Sequence, residues 1–317
     1  NAAGVTDTTG AANYEVGAGG TVGAGARIRT LRYTGGAATV SGALETDGLM
    51  HGGSGLLTVG GPVTVGDSRE LVALLPSGQQ VTFSGALSNN AAGASGLVKG
   101  GPGQLRLQGE VAFTGPITVG EGTLQLAPPT SGGIVPGDVF LNSGGYLQYN
   151  SGSSQTFTGV ISGGGQIHKW NGGILTLAGS NTFSGLTVIN AGTVRLGHES
   201  ALGAPAGVTE PRRFNDGNRG IVELNGFSTD EAFSFEDTNS GNTGSSIGWG
   251  GFIENNNTVT SSVLRGAVTL NKHGTFRGAG TIMLAGPVSG PGNLVKDGAG
   301  TVNVDTNLTF AGSLSVW

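Results

Sequence analysis

No cysteine occurs in the 317 residues, which excludes disulfides, thiolate catalysis and zinc–thiolate sites. Charge is scarce as well. Lys, Arg, Asp and Glu make up 11 % of the chain, and the formal net charge is −5. No basic stretch could neutralise a run of phosphates, which argues against a nucleic-acid partner. The nearest candidates are Arg27-Ile-Arg29-Thr-Leu-Arg32 and Arg212-Arg213. In the first, Arg27 and Arg29 flank an apolar residue, as on the wet face of a strand. No apolar run approaches the roughly 18 residues of a membrane span. Asn1-Ala-Ala-Gly4 lacks the basic start and apolar core of a signal peptide. Low Lys and Glu beside abundant Gly, Thr, Ser and Asn fits an extracellular or cell-surface chain whose signal has been removed.

Helix signals are almost absent, because Gly or Pro interrupts nearly every short window. The chain holds 64 Gly and 11 Pro, and each Gly inside a helix costs about 1 kcal/mol. Disorder is argued against by a hydrophobic content of 36 % that alternates with polar residues. The alternation reads as short strands bounded by Gly, Asn, Asp or Ser, such as Gln104-Leu-Arg-Leu-Gln108, Ile174-Leu-Thr-Leu177 and Gly192-Thr-Val-Arg-Leu196.

One pattern recurs with fixed spacing from Lys99, Lys169 and Lys296. An apolar residue stands two before each lysine (Leu97, Ile167, Leu294), and apolar pairs follow (Leu105/Leu107, Leu175/Leu177, Val302/Val304). Each copy then reaches a Phe (Phe113, Phe183, Phe310) and a Gly (Gly115, Gly185, Gly312). A weaker copy places His51 at the lysine position, with Leu57 and Val59 as its apolar pair. Such self-similarity predicts a solenoid, in which each coil contacts only its neighbours. The Phe residues are expected inside the tube. The Gly residues are expected at corners, with φ values that Gly adopts cheaply, and the lysines at a corner or on a wet face. The expectation is one β-solenoid over residues 1–317, with looser, loop-rich coils at 203–262. That region holds Glu210, Asp216, Glu223, Asp230, Glu231, Glu236, Asp237 and Glu254, together with Trp249 and several Phe.

The stretch from Ile167 through Phe183 to Gly185, continuing to Gly203, resembles the autotransporter-associated β-strand repeat of bacterial surface proteins. Gly96–Leu107 and Asn293–Val302 are similar to it, and Val222-Glu-Leu-Asn-Gly-Phe227 resembles the strand that follows the repeat. The resemblance implies an all-β, right-handed parallel β-helix that is secreted or displayed on the cell surface.

Catalytic signals are weak. His51, His168, His198 and His273 lie far apart, without ligand spacing, and read as solvated. A glycan-cleaving β-helix would need convergent carboxylates. Asp230-Glu231 and Glu236-Asp237 are adjacent pairs, and adjacent strand residues point to opposite faces. No enzyme, cofactor or metal is expected. The third repeat stops at Trp317, where an uncovered coil would offer unpaired backbone to another chain. The leading expectation is therefore a structural subunit that polymerises head to tail with itself through Leu314, Val316 and Trp317. The alternative is an adhesin that binds a glycan or protein through the 203–262 region, with Asp230, Glu231 and Trp249 as candidate contacts.

Overall fold

A computed structural model of the chain describes residues 1–112, 114–128, 137–215, 218–237 and 249–317. Among the described residues the regular structure is β-strand, apart from one 3-10 turn at Ala2–Gly4. The chain divides into two compact units, Asn1–Asn150 and Ser151–Trp317. Each is a parallel β-solenoid.

In the first unit, equivalent side chains of successive coils stack into columns. One inward column runs Leu31, Leu49, Ala73, Lys99, Val119, Leu141. A second wall carries Leu57, Val81, Leu105, Leu124 and Leu147. A third stacks Ala26, Leu44, Val63, Leu87 and Val111. All except Lys99 are apolar and buried. The alternating sequence produces this directly: every second residue faces the tube, and the partner above it is another apolar residue. Long strands turn a corner without ending. Ile117–Leu126 pairs with Gly96–Gly100 on one wall and with Gln104–Leu107 on the next, and its register shifts at the bend.

In the second unit one inward column runs Ile167, Thr187, Thr209, Phe233, Val268, Val288. Another runs Gln155, Leu175, Val194, Val222, Ile253, Phe276, Lys296, Val316. A third wall is made of Ser262–Leu264, Thr281–Leu284 and Thr301–Val304. Coils lengthen in the middle of this unit. Ile167 pairs with Thr187, 20 residues on, whereas Phe233 pairs with Val268, 35 residues on. Part of the extra length folds back as an antiparallel pairing of Arg213 with Arg219.

The repeat glycines stand at corners, as expected, but for a different reason. Gly115, Gly185 and Gly312 do not have positive φ. What excludes a side chain is the backbone of the previous coil. A Cβ on Gly185 would lie 1.9 Å from Gly165 O, one on Gly115 2.4 Å from Ser95 O, and one on Gly312 2.1 Å from Gly292 O. Gly185→Ala must therefore push two coils apart. A loss of about 2–3 kcal/mol is expected in urea denaturation, in the range of overpacked cores. Gly172→Ala, where nothing lies within 4 Å of the new atom, is the control. Equal losses for the two would refute the close-approach account.

Candidate functional site

The repeat lysines face the core. Lys99 and Lys169 are fully buried. Lys169 stacks on Ile189, which stacks on Pro211, so its aliphatic stem fills an apolar column. Its ammonium then reaches sideways into the corner and donates to Trp170 O (2.8 Å), Asn171 O (2.6 Å) and Ala191 O (3.3 Å). Lys99 does the same with Gly100 O (3.3 Å), Gly101 O and Glu121 O (2.8 Å). Both clamps tie two carbonyls of their own corner to one carbonyl of the next coil. The residue two after each lysine is left-handed: Gly101 (φ +76), Asn171 (φ +63) and Gly298 (φ +83). Gly and Asn are the residues that accept this conformation most readily. Burial opposes the charge. It pushes the Lys169 ammonium down to about 7 and that of Lys99 to about 8, where the Glu121 charge works the other way. For Lys99 and Lys169 the corner expectation holds and the wet-face alternative is corrected, because both ammonium groups face backbone carbonyls inside the coil.

The Lys169 and Lys296 repeats do not stack in one column. Lys296 stacks under Phe276 in the column of Leu175, so it lies on a different wall of the second unit from Lys169. Its ammonium, half exposed, donates to Gly298 O. The motif specifies a corner and the two strands beside it, and a solenoid has more than one corner per coil. In the first unit Leu57 and Val59 do align with Leu105 and Leu107 through Val81 and Phe83. His51, however, does not stack in the Lys99 column: Leu49 does, through Ala73. The corner after Leu49 is two residues longer than that after Lys99, and spacing counted from the apolar pair hides the difference. Phe183 is buried and Phe310 half buried; Phe113 lies outside the described residues.

Two histidines expected in solvent are inside. His51 is buried, edge-on to Tyr33, with Nε2 3.0 Å from Gly55 O and Nδ1 accepting from Gly53 N at 3.2 Å. His273 is 6 % exposed, and its Nδ1 accepts from Asn293 N. Both rings serve corner backbone, which a polar side chain at the end of a strand can reach.

The acidic residues of 203–262 separate. Asp230 is exposed and pairs with Arg265 at 3.3 Å. Glu231 is 1 % exposed, so it is not a surface contact, a correction that follows from the two-residue period of a strand. Its Oε1 accepts from Thr209 Oγ1 at 3.3 Å, and Oε2 has no hydrogen-bond partner. Burial raises this carboxyl to about 8, with the Thr209 bond opposing, so it is protonated at neutral pH. The Trp249 side chain lies outside the described residues. Glu223 and Glu254 are taken by Arg195 (2.7 Å) and Arg277 (2.9 Å). Among the described residues no cluster of three or more His, Cys, Asp or Glu could hold a metal.

At the last coil Leu314 and Val316 stack on Leu294 and Lys296, and Leu314, Val316 and Trp317 are exposed. Leu314 and Val316 continue inward columns.

A surface feature that sequence patterns did not single out lies on the first unit. A groove of about 590 Å³ crosses the outer face of the strands Asn13–Val16, Ala26–Tyr33, Leu44–His51 and Glu70–Leu74. Gly48 supplies its dent: it stands in the outward row between Thr30 and Val72 and has no side chain. Beside it Met50 and Leu74 are 39 % and 41 % exposed. The signal that could have revealed it is the apolar residue on the polar side of the alternation at Met50 and Leu74.

The family model described as passenger-associated-transport-repeat matches residues 97–126 and 167–196. The chain carries autotransporter passenger-type repeats. The matched segments hold the Lys99 and Lys169 clamps, so the repeat and the clamp coincide. A relative named an autotransporter adhesin, BmaC of Brucella suis biovar 1, is 33 % identical over 132 residues. That alignment covers 41 % of this chain and 4 % of the relative's length. No solved structure matches the chain.

Proposed function

We propose that this chain is a segment of an adhesin-like passenger displayed on the bacterial surface. The observation that carries the reading is the division of labour in the repeat. Residues that recur in it, Lys99, Lys169 and the corner glycines, are consumed by coil-to-coil contacts. The outward rows are left free to vary and to bind. The name of the relative and the passenger-type repeats point the same way. The reading is non-enzymatic: the chain contributes surface, not turnover, and the Glu223 and Glu254 carboxylates serve in ion pairs with arginine. Head-to-tail filament formation through Leu314, Val316 and Trp317 has no comparable support, because a stretch matching 4 % of a relative's length does not bear on assembly at its ends.

The test is adhesion of the purified chain, immobilised on beads, to cell layers and to extracellular-matrix proteins. Saturable binding that free chain competes away is expected. Binding no greater than that of beads coated with albumin would refute the reading.

A further inference from the structure

We infer that the groove on the first unit docks a basic, extended protein segment that presents apolar side chains. The inference rests on the adhesin reading and names the partner chemistry for one surface. The floor is apolar, formed by Gly48, Met50, Val72 and Leu74. It spans four stacked strands, about 14 Å at the usual strand spacing. That length accepts roughly four residues of extended chain.

The rim sets the charge. Glu15 and Arg32 stand on one side and pair with each other at 3.0 Å. Asp47 and Glu70 line the groove as well. Asp47 Oδ1 accepts from Ser68 N (2.9 Å) and Ser68 Oγ (2.7 Å), which fixes the carboxylate in place. Glu70 is exposed. Three carboxylates against one guanidinium leave the rim two charges negative. An acidic occupant, such as a sulfated or sialylated glycan, would meet like charge. A neutral glycan usually requires an aromatic platform, and the only aromatic lining the groove, Tyr14, lies in the inward-facing column of Leu31, with its hydroxyl accepting from Asp7 N. An apolar floor inside an acidic rim complements a segment that alternates Leu-like and Lys-like residues, since rim charges steer and select partners. The exposed apolar area of Met50 and Leu74 supplies the contact that such a segment would bury.

The experiment measures fluorescence anisotropy of a short dye-labelled peptide alternating Leu and Lys, titrated with the full chain. An alternating Leu–Glu peptide and a panel of neutral and acidic oligosaccharides serve as competitors. Saturable, salt-sensitive binding of the Leu–Lys peptide is expected. It should weaken by about tenfold or more in the Glu70→Lys, Leu74→Ser double variant, with an unchanged circular dichroism melt. Equal binding to that variant, equal binding of the Leu–Glu peptide, displacement by a neutral glycan, or no peptide binding would each overturn the docking inference. Adhesion of the same variant to cells separates the two readings. Undiminished adhesion rejects the groove and keeps the adhesin. Peptide binding by a chain that adheres to nothing rejects the adhesin and keeps the groove.

Discussion

Lys169→Met is expected to destabilise the second unit by about 3 kcal/mol, while Lys296→Met costs about 0.5 kcal/mol or less. Methionine keeps most of the apolar stem in the column of Ile189 and Pro211. It removes the donor to Trp170 O, Asn171 O and Ala191 O. A hydrogen bond from a charged donor contributes about 1.5–3 kcal/mol, and the one to Ala191 O is buried. The relief of burying no charge offsets part of that sum, because the depressed Lys169 value, about 7, shows that the ammonium is held there at a cost. The loss of three bonds from one ammonium, including the buried one that joins the next coil at Ala191 O, outweighs the relief. Lys296 sits half exposed, and water can replace its bond to Gly298 O. Urea denaturation followed by circular dichroism checks the contrast. Similar losses for both variants would show that the clamp does not hold the corner.

Stability of the second unit is expected to pass through a minimum at about pH 7.5. Two buried groups act in opposite directions. Glu231 titrates at about 8 when folded against a usual 4.5. Between those values the folded chain holds a proton that the unfolded chain releases, so stability falls as pH rises from 4.5 to 8. Lys169 titrates at about 7 when folded against a usual 10.5. Between those values the unfolded chain holds the extra proton, so stability rises with pH from 7 to 10.5. Each limb amounts to roughly 2–3 kcal/mol once the interior relaxes around the charge. Glu231→Gln should flatten the acid limb and leave the basic one. Lys169→Met should do the reverse, and its deficit should therefore be larger at pH 9 than at pH 6. Denaturation midpoints across pH 5–10 test this: a profile that only falls would contradict the Lys169 assignment, and one that only rises would contradict that of Glu231.

Fold class was legible because a parallel solenoid writes itself into sequence. Alternation at Gln104–Leu107 or Ile174–Leu177 fixes which face is inward, and repetition at about 20 residues fixes the stacking partner. Register was less legible. The lysine motif is a local corner device, so counting from it could not say that Lys296 stands on another wall, nor that Leu49, not His51, stacks with Lys99 through Ala73. Corner length decides that, and one or two extra residues are tolerated there because corners face solvent.

The amino-acid sequence by itself determined the strands, the inward rows, the repeat and the separation of Asp230 from Glu231, because each depends only on the two-residue period of a strand and on local turn residues. Only the tertiary structure decided what each row meets. It turned Lys99 and Lys169 from candidate surface cations into internal clamps, since the carbonyls that accept from them come from neighbouring corners and from the next coil. It replaced a φ requirement at Gly185 by a collision with Gly165 of the coil before. It gathered Glu15, Asp47 and Glu70 around Met50 and Leu74, residues that lie on three different strands and share a surface only once the coils are stacked.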